Sequence, residues 1–293
     1  MKTFGSTARM GRFFALVFLS LLTGSVAMAE LRVAVAIAPQ KYLLEHLAGS
    51  RVKVLQVVPP GQGVESYEPT PRLMSELGSS QLYFQLGLPF ERVWLPKVRG
   101  LHPTLQVIDA AAGIERLAMD GHHHGDSPQT QDLADPHLWL APRLLLRQAA
   151  NMRDALIEAD PAGAAHYQQG YGRLEQELTA LDTELSAQLA ARRGSSFMVY
   201  HPAFGYFAEA YGLHQIAIEQ DGKSPGARSL AQVIEAGRRA GVRLILVEQQ
   251  TDRRVAEMVA ETLGARVVKV DHLAEDVPAT LRQLSALLAG VMP

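Results

Sequence analysis

The chain has no cysteine in its 293 residues. That excludes disulfides, and it excludes a thiol that could carry a lipid at the point where a leader would be removed. Charge of either sign is not in excess. Lys and Arg number 28 against 30 Asp and Glu, so nothing points to nucleic acid or an anionic membrane surface. No H-E-x-x-H run occurs, and no internal repeat is visible. Long apolar runs are confined to positions 13–27, which are about the length of a signal-peptide core and too short to span a bilayer comfortably. Lys2, Arg9 and Arg12 precede that run and Ala27-Met28-Ala29 follows it as an A-x-A pattern. Residues 1–29 are therefore expected to be a signal peptide cleaved after Ala29, giving a periplasmic protein free of a membrane anchor.

What is present is a chain that is 47% hydrophobic, enough to bury the cores of two domains. The organising stretch is 160–193. Its apolar residues Tyr167, Tyr171, Leu174, Leu178, Leu181, Leu185 and Leu189 are spaced by three or four, the period of one helical face. Asp160 suits the N-cap, Pro161 the first turn, Arg192 and Arg193 the last turn, and Gly194 the stop. A helix of that length is roughly 48 Å long. It predicts a stiff strut between two halves, although Gly163, Gly170 and Gly172 each weaken it by about 1 kcal/mol against alanine.

Strand and helix patterns alternate on both sides of the strut. Strands are expected at 31–39, 52–58, 81–86 and 105–108, then at 196–200, 214–218, 244–247 and 265–270. Helices are expected at 40–48, from Thr70 and Pro71 onward, and at 142–159, 202–211, 229–240 and 253–263. The expectation is an α/β protein: an N-terminal lobe over 30–159, a linking helix over 160–193 and a C-terminal lobe over 194–293, each lobe with a parallel sheet. Positions 117–136 are polar, include His122, His123 and His124, and read as a loop.

Four stretches place a metal-ligating residue type at a strand end or in a loop: Glu65 in GQGVESYEPTP, His137 in DPHLWLAP, His201 in YHPAFGY and Asp271 in KVDHLA. Singly, these are a solvated carboxylate, two core histidines and a helix cap. Together they are two residues from each side of the strut, and a complete donor set for a divalent ion. In open α/β sheets ligands bind outside the carboxyl ends of the strands. Glu248 and Tyr206 are candidates to orient the imidazoles. His46, His102, His166 and His214 read as ordinary surface or core residues.

ESYEPTP, LYFQLGLPFE, DPHLWLAP, YHPAFGYFAEAYG, KSPGARSL and GARVVKVDHLA occur in one order over nearly all of the mature chain. In them the sequence resembles the cluster A-I solute-binding proteins of metal ABC importers, the ZnuA/TroA type. The resemblance implies two α/β lobes on one long helix, with the metal between the lobes and a histidine-rich loop ahead of the second ligand in many zinc members. Carried over by position, His137 matches the second ligand, His201 the third and Asp271 the fourth. The first is usually His, and Glu65 stands there instead. His272 stands where proline is common. Either Glu65 ligates, or His272 or a loop histidine takes its place. The resemblance implies a monomeric, non-catalytic receptor that carries Zn2+, or else Mn2+ or Fe2+, to an inner-membrane ABC permease. A zinc hydrolase, an adhesin and a metal-storage protein are the alternatives.

Overall fold

The computed structural model describes residues 1, 30–64, 67–119, 134–219, 222–249 and 253–291. The leader, Glu65 and the His122–His124 run lie outside the described residues.

The first half lays down β1 (Leu31–Val35), α1 (Ala38–Ala48), β2 (Val52–Gln56), α2 (Pro71–Leu77), β3 (Leu82–Gln85), α3 (Pro89–Leu101), β4 (Gln106–Asp109) and α4 (Pro142–Ala159). Then comes α5 (Ala164–Leu189). The second half follows with β5 (Ser196–Val199), α6 (Gly205–Tyr211), β6 (His214–Ala217), α7 (Ala227–Arg239), β7 (Leu244–Val247), α8 (Arg253–Leu263), β8 (Arg266–Lys269) and α9 (Val277–Val291). All pairings within the strands are parallel, and the two sheets run β2-β1-β3-β4 and β6-β5-β7-β8. This is the expected two-lobed α/β architecture. The strand order is the same in both lobes, a repeat in topology that no sequence similarity betrays.

The strut is shorter in its α-helical part than 160–193. Pro161–Gly163 and Ala190–Arg192 are single 3-10 turns at either end of α5. The 26 α-helical residues of α5 span about 39 Å. Asp160 caps the start as expected, its carboxylate accepting from the Gly163 N–H at 3.2 Å. Gly194 takes φ +79° and donates its N–H to Gly212 O at 2.7 Å, a left-handed turn that other residues adopt at a cost. The predicted stripe is the buried face: Tyr167, Leu174, Leu178, Leu181, Leu185 and Leu189 are all in the core. That face packs against α1 and α4 on one side and α9 on the other, so α5 belongs to both halves. Gly170 has a packing role in addition to its propensity cost. A Cβ there would stand 2.3 Å from Leu47 O, so glycine lets α5 and α1 cross in near backbone contact.

Helices α3 and α9 form where the pattern reading named none. In α3 an internal proline, Pro96, obscures the period, yet Phe90, Trp94, Leu95 and Val98 make a continuous buried face. Helix α9 has a face of its own, with Leu281, Leu284 and Leu288 buried at helical spacing. Thr70 caps α2 as expected, accepting from the Leu73 N–H at 3.2 Å. Among the described residues no helix is long and apolar enough to cross a membrane.

Candidate metal centre

His137 and His201 reach one place from opposite sides of α5. His137 sits in the Pro136-flanked segment ahead of the Leu138–Leu140 turn, and His201 follows β5. Their ring centroids are 5.2 Å apart with planes at 71°. Two imidazoles sharing a tetrahedral ion at ~2.0–2.1 Å hold their ring centres about 5 Å apart. The His272 ring joins them at 5.8 Å from His137. All three side chains are buried.

Each imidazole has a carboxylate at Nδ1. Asp135 Oδ1 lies 2.7 Å from His137 Nδ1 and also accepts the His137 backbone N–H at 2.9 Å. Glu219 Oε1 lies 2.6 Å from His201 Nδ1. Glu248 Oε1 lies 3.5 Å from His272 Nδ1. A carboxylate only accepts, so Nδ1 of His137 and of His201 carries the proton and Nε2 is the nitrogen that can present a lone pair to an ion. A carboxylate behind a ligating imidazole fixes its tautomer and orientation and strengthens it as a donor.

Trp139 supports the group from below. Its indole N–H donates to His272 O at 2.6 Å, and its ring lies nearly parallel to the His272 ring, 21° off, at 6.2 Å. Asp271 is half-buried, and its Oδ1 accepts from the Leu273 N–H at 3.0 Å, the Asx turn expected of an Asp closing a strand. Among the described residues no three His, Asp or Glu donors stand close enough to hold an ion as they are. Of the four residues singled out in the sequence, the structure thus brings His137 and His201 together and holds Asp271, the chain neighbour of His272, in a backbone turn.

Sequence reasoning gave Asp135 and Glu219 no role. Asp135 was legible in principle: in D-P-H the proline fixes the backbone between them, and an Asp two residues before a His can accept that residue's N–H. Glu219 was not, because only the pairing of β5 with β6 brings it beside a residue 18 positions earlier. Glu248, a candidate for orienting an imidazole, faces that of His272 at 3.5 Å. The Tyr206 hydroxyl bonds backbone, donating to Asp135 O at 2.9 Å and accepting from the Leu117 N–H at 3.0 Å.

Residues 33–285 match the family model described as zinc-uptake complex component A, periplasmic, ZnuA. The chain belongs to the ZnuA family. A crystal structure of ZnuA superposes with a TM-score of 0.83 at 33% identity, covering 90% of this chain and 99% of that one. The ZnuA fold extends to FpvC of Pseudomonas aeruginosa in complex with Mn2+, at a TM-score of 0.76 and 20% identity, over 90% of this chain and 98% of that one. The zinc-binding protein AdcA of Streptococcus pyogenes serotype M3 is 23% identical over 265 residues, 85% of this chain and 51% of AdcA. A Chlamydia muridarum protein named for metal binding is 26% identical over 261 residues, 89% of this chain and 91% of its own. ZnuA proteins are solute-binding receptors of metal importers, a family of carriers and not of enzymes.

Proposed function

We propose that the chain captures a divalent metal ion, zinc before manganese or ferrous iron, in the periplasm, and delivers it as cargo to an inner-membrane ABC permease. The 1–29 leader would take it there, and a single copy would suffice. His137 and His201 would hold the ion through Nε2, with Glu65 and Asp271 as carboxylate ligands and His272 or a loop histidine as the alternative to Glu65. The observation that carries this reading is the 5.2 Å spacing of two buried imidazoles drawn from both sides of α5, each with a carboxylate at Nδ1.

The donor set supports zinc first and does not demand it. Two carboxylates and two neutral imidazoles bring a divalent ion to net zero, which suits a buried site. Carboxylates that bind through two oxygens raise the coordination number and admit manganese or iron. Zinc still exceeds manganese in the general order of affinity. Release asks little of the protein, because the ligands sit in the connections between elements and small shifts of those connections part them.

The deciding experiment is calorimetry with Zn2+ and Mn2+ on the mature chain, beside element analysis of protein isolated from periplasm without added metal. One tight equivalent that disappears in the His137→Ala, His201→Ala double variant is expected. Unchanged zinc affinity in that variant would place the site elsewhere. Glu65→His is expected to raise the ratio of zinc to manganese affinity, and Glu65→Ala to weaken both. Parent-like binding by Glu65→Ala would remove Glu65 from the ligand set and leave His272 or a loop histidine as its replacement.

A further inference from the structure

Tyr206 lies on α6, five residues after His201, yet its ring is not packed in its own half. It is buried in a small apolar cluster with Ala111, Leu138 and Ala141, edged by Ile114, Leu117 and Leu144. All of these neighbours precede α5 in the chain. At the end of this reach the phenol oxygen makes two bonds. It donates to Asp135 O at 2.9 Å and accepts from the Leu117 N–H at 3.0 Å. Leu117 and Asp135 are themselves joined, because the Asp135 N–H donates to Leu117 O at 2.8 Å. Arg116 adds a longer donation to Asp135 O at 3.5 Å while gripping Leu86 O at 2.7 Å. Asp135 is thus held through its backbone, and its carboxylate is the group that holds His137 by both backbone and ring.

We infer that Tyr206 is an inter-lobe positioning residue for the metal centre, setting the register between His137 and His201; this rests on the two histidines being ligands as proposed above. The geometry makes the link short. The β5–α6 connection carries His201 at one end and leads into Tyr206. The segment that Tyr206 grips carries His137 two residues beyond Asp135. A hydroxyl-to-carbonyl bond therefore ties the element bearing one imidazole to the element bearing the other. Burial pushes the Tyr206 phenol up to about 12, so the proton it donates stays in place throughout the physiological range. Removing that hydroxyl would leave Asp135 O to the longer Arg116 donation, take the acceptor from the Leu117 N–H and loosen the carboxylate behind His137. Asp135 is the partner directly behind the imidazole, the kind that typically governs metal affinity by 10–100-fold, and Tyr206 acts through it.

The test uses the mature full-length chain and four single variants. Tyr206→Phe removes only the hydroxyl. Tyr211→Phe is its control on the same helix: the Tyr211 hydroxyl donates to Asp182 on α5 at 3.1 Å and not to Asp135. Zinc affinity by competition with a chromophoric chelator, the visible absorption of the Co2+-loaded protein and thermal stability are read for each. Tyr206→Phe is expected to weaken zinc by up to about 10-fold, the low end of what loss of the Asp135 carboxylate itself would cause, and to alter the Co2+ ligand-field bands, which report ligand geometry. Tyr211→Phe is expected to lower thermal stability with neither change. Arg116→Leu gives an independent reading on the same carbonyl and is expected to act in the same direction by a smaller factor. His137→Ala completes the set. If it abolishes tight binding while Tyr206→Phe and Arg116→Leu keep the parent's affinity and Co2+ spectrum, the positioning role is overturned and the site stands. If His137→Ala itself binds as the parent does, the site reading fails first.

Discussion

The two sheets have one strand order, β2-β1-β3-β4 and β6-β5-β7-β8, and use their carboxyl ends in opposite ways. In the first, the ends of the two central strands are sealed. Gln40 of α1 accepts from the Ala36 and Ile37 N–H groups and donates to Phe84 O. Glu91 of α3 accepts from the Leu86, Gly87 and Leu88 N–H groups and from the Tyr83 hydroxyl at 2.6 Å. Polar side chains there are consumed by backbone. In the second sheet the central strands β5 and β7 are followed by His201 and Glu248 and the edge strands β6 and β8 by Glu219 and His272, and these side chains meet one another and the His137 segment. One scaffold, built twice, uses the ends of its central strands for closure in one lobe and for polar groups around the candidate centre in the other. The fold alone therefore does not place a site.

The largest effects should break this contrast most clearly. Glu219→Gln keeps the size of the side chain but removes the charge behind His201. Zinc affinity is expected to fall by about 10–100-fold with little change in stability. Glu91→Leu is the matching change in the sealed lobe. It strands three N–H groups and a phenol in the core, each worth about 1–3 kcal/mol. We expect a stability loss on the order of 3 kcal/mol or more in urea, with the zinc affinity of the folded protein kept. Burial pushes the Glu91 carboxyl up to about 7, against the pull of Tyr83 and the three N–H groups. A folded value above the unfolded one means the folded state binds the proton more tightly. That contribution is complete below about 4.5 and is lost as pH rises through about 7. Glu91→Leu should flatten the slope. Zinc loss in Glu91→Leu equal to that in Glu219→Gln would dissolve the distinction between the lobes.

How α5 joins the lobes gives a smaller effect. Gly170→Ala forces a methyl to within 2.3 Å of Leu47 O and should cost about 1–3 kcal/mol as α5 and α1 part. Gly172→Ala meets nothing within 4 Å. It should gain up to about 1 kcal/mol from helix propensity. Equal responses at both positions in thermal melts would mean that the close crossing does not constrain the strut.

The same glycines mark how far the sequence can be read. Periodicity found the buried face of α5, and ligand residue types at a strand end or in a loop singled out His201 and His137, which the structure brings together, because both signals are local. The cost of Gly170 was legible and its purpose was not, since the purpose is a backbone carbonyl in α1. Helix α3 was hidden by Pro96, whose local meaning contradicts its tertiary setting. Asp135 lay in plain view within D-P-H. Glu219 needed the parallel pairing of β5 with β6, and the inter-lobe grip of Tyr206 needed the docking of two halves. Local spacing carries neither.

The smallest expected effect concerns the two ends of the strut. Arg192, at the C-terminal end, bonds Ala289 O of α9 at 3.0 and 3.2 Å, a guanidinium on a carbonyl, which does not titrate in any working range. Asp160, at the N-terminal end, takes Arg51 Nη2 and the Tyr167 hydroxyl, each at 2.7 Å, as well as the Gly163 N–H. Burial pulls the Asp160 carboxyl up, but the donations from Arg51 and Tyr167 outweigh it and the pKa is lowered from 3.8. A depressed folded value gives stability that is present above the unfolded one and lost as pH falls through the folded one. Acid should therefore loosen the strut where it meets the first lobe and spare its junction with the second. Amide exchange followed below pH 4 should show protection falling near Pro161–Gly163 and the start of α5 before it falls near Ala190–Arg192. Asp160→Asn should show the early loss already at neutral pH. Equal protection at both ends of the strut across that range would place the acid-sensitive joint elsewhere.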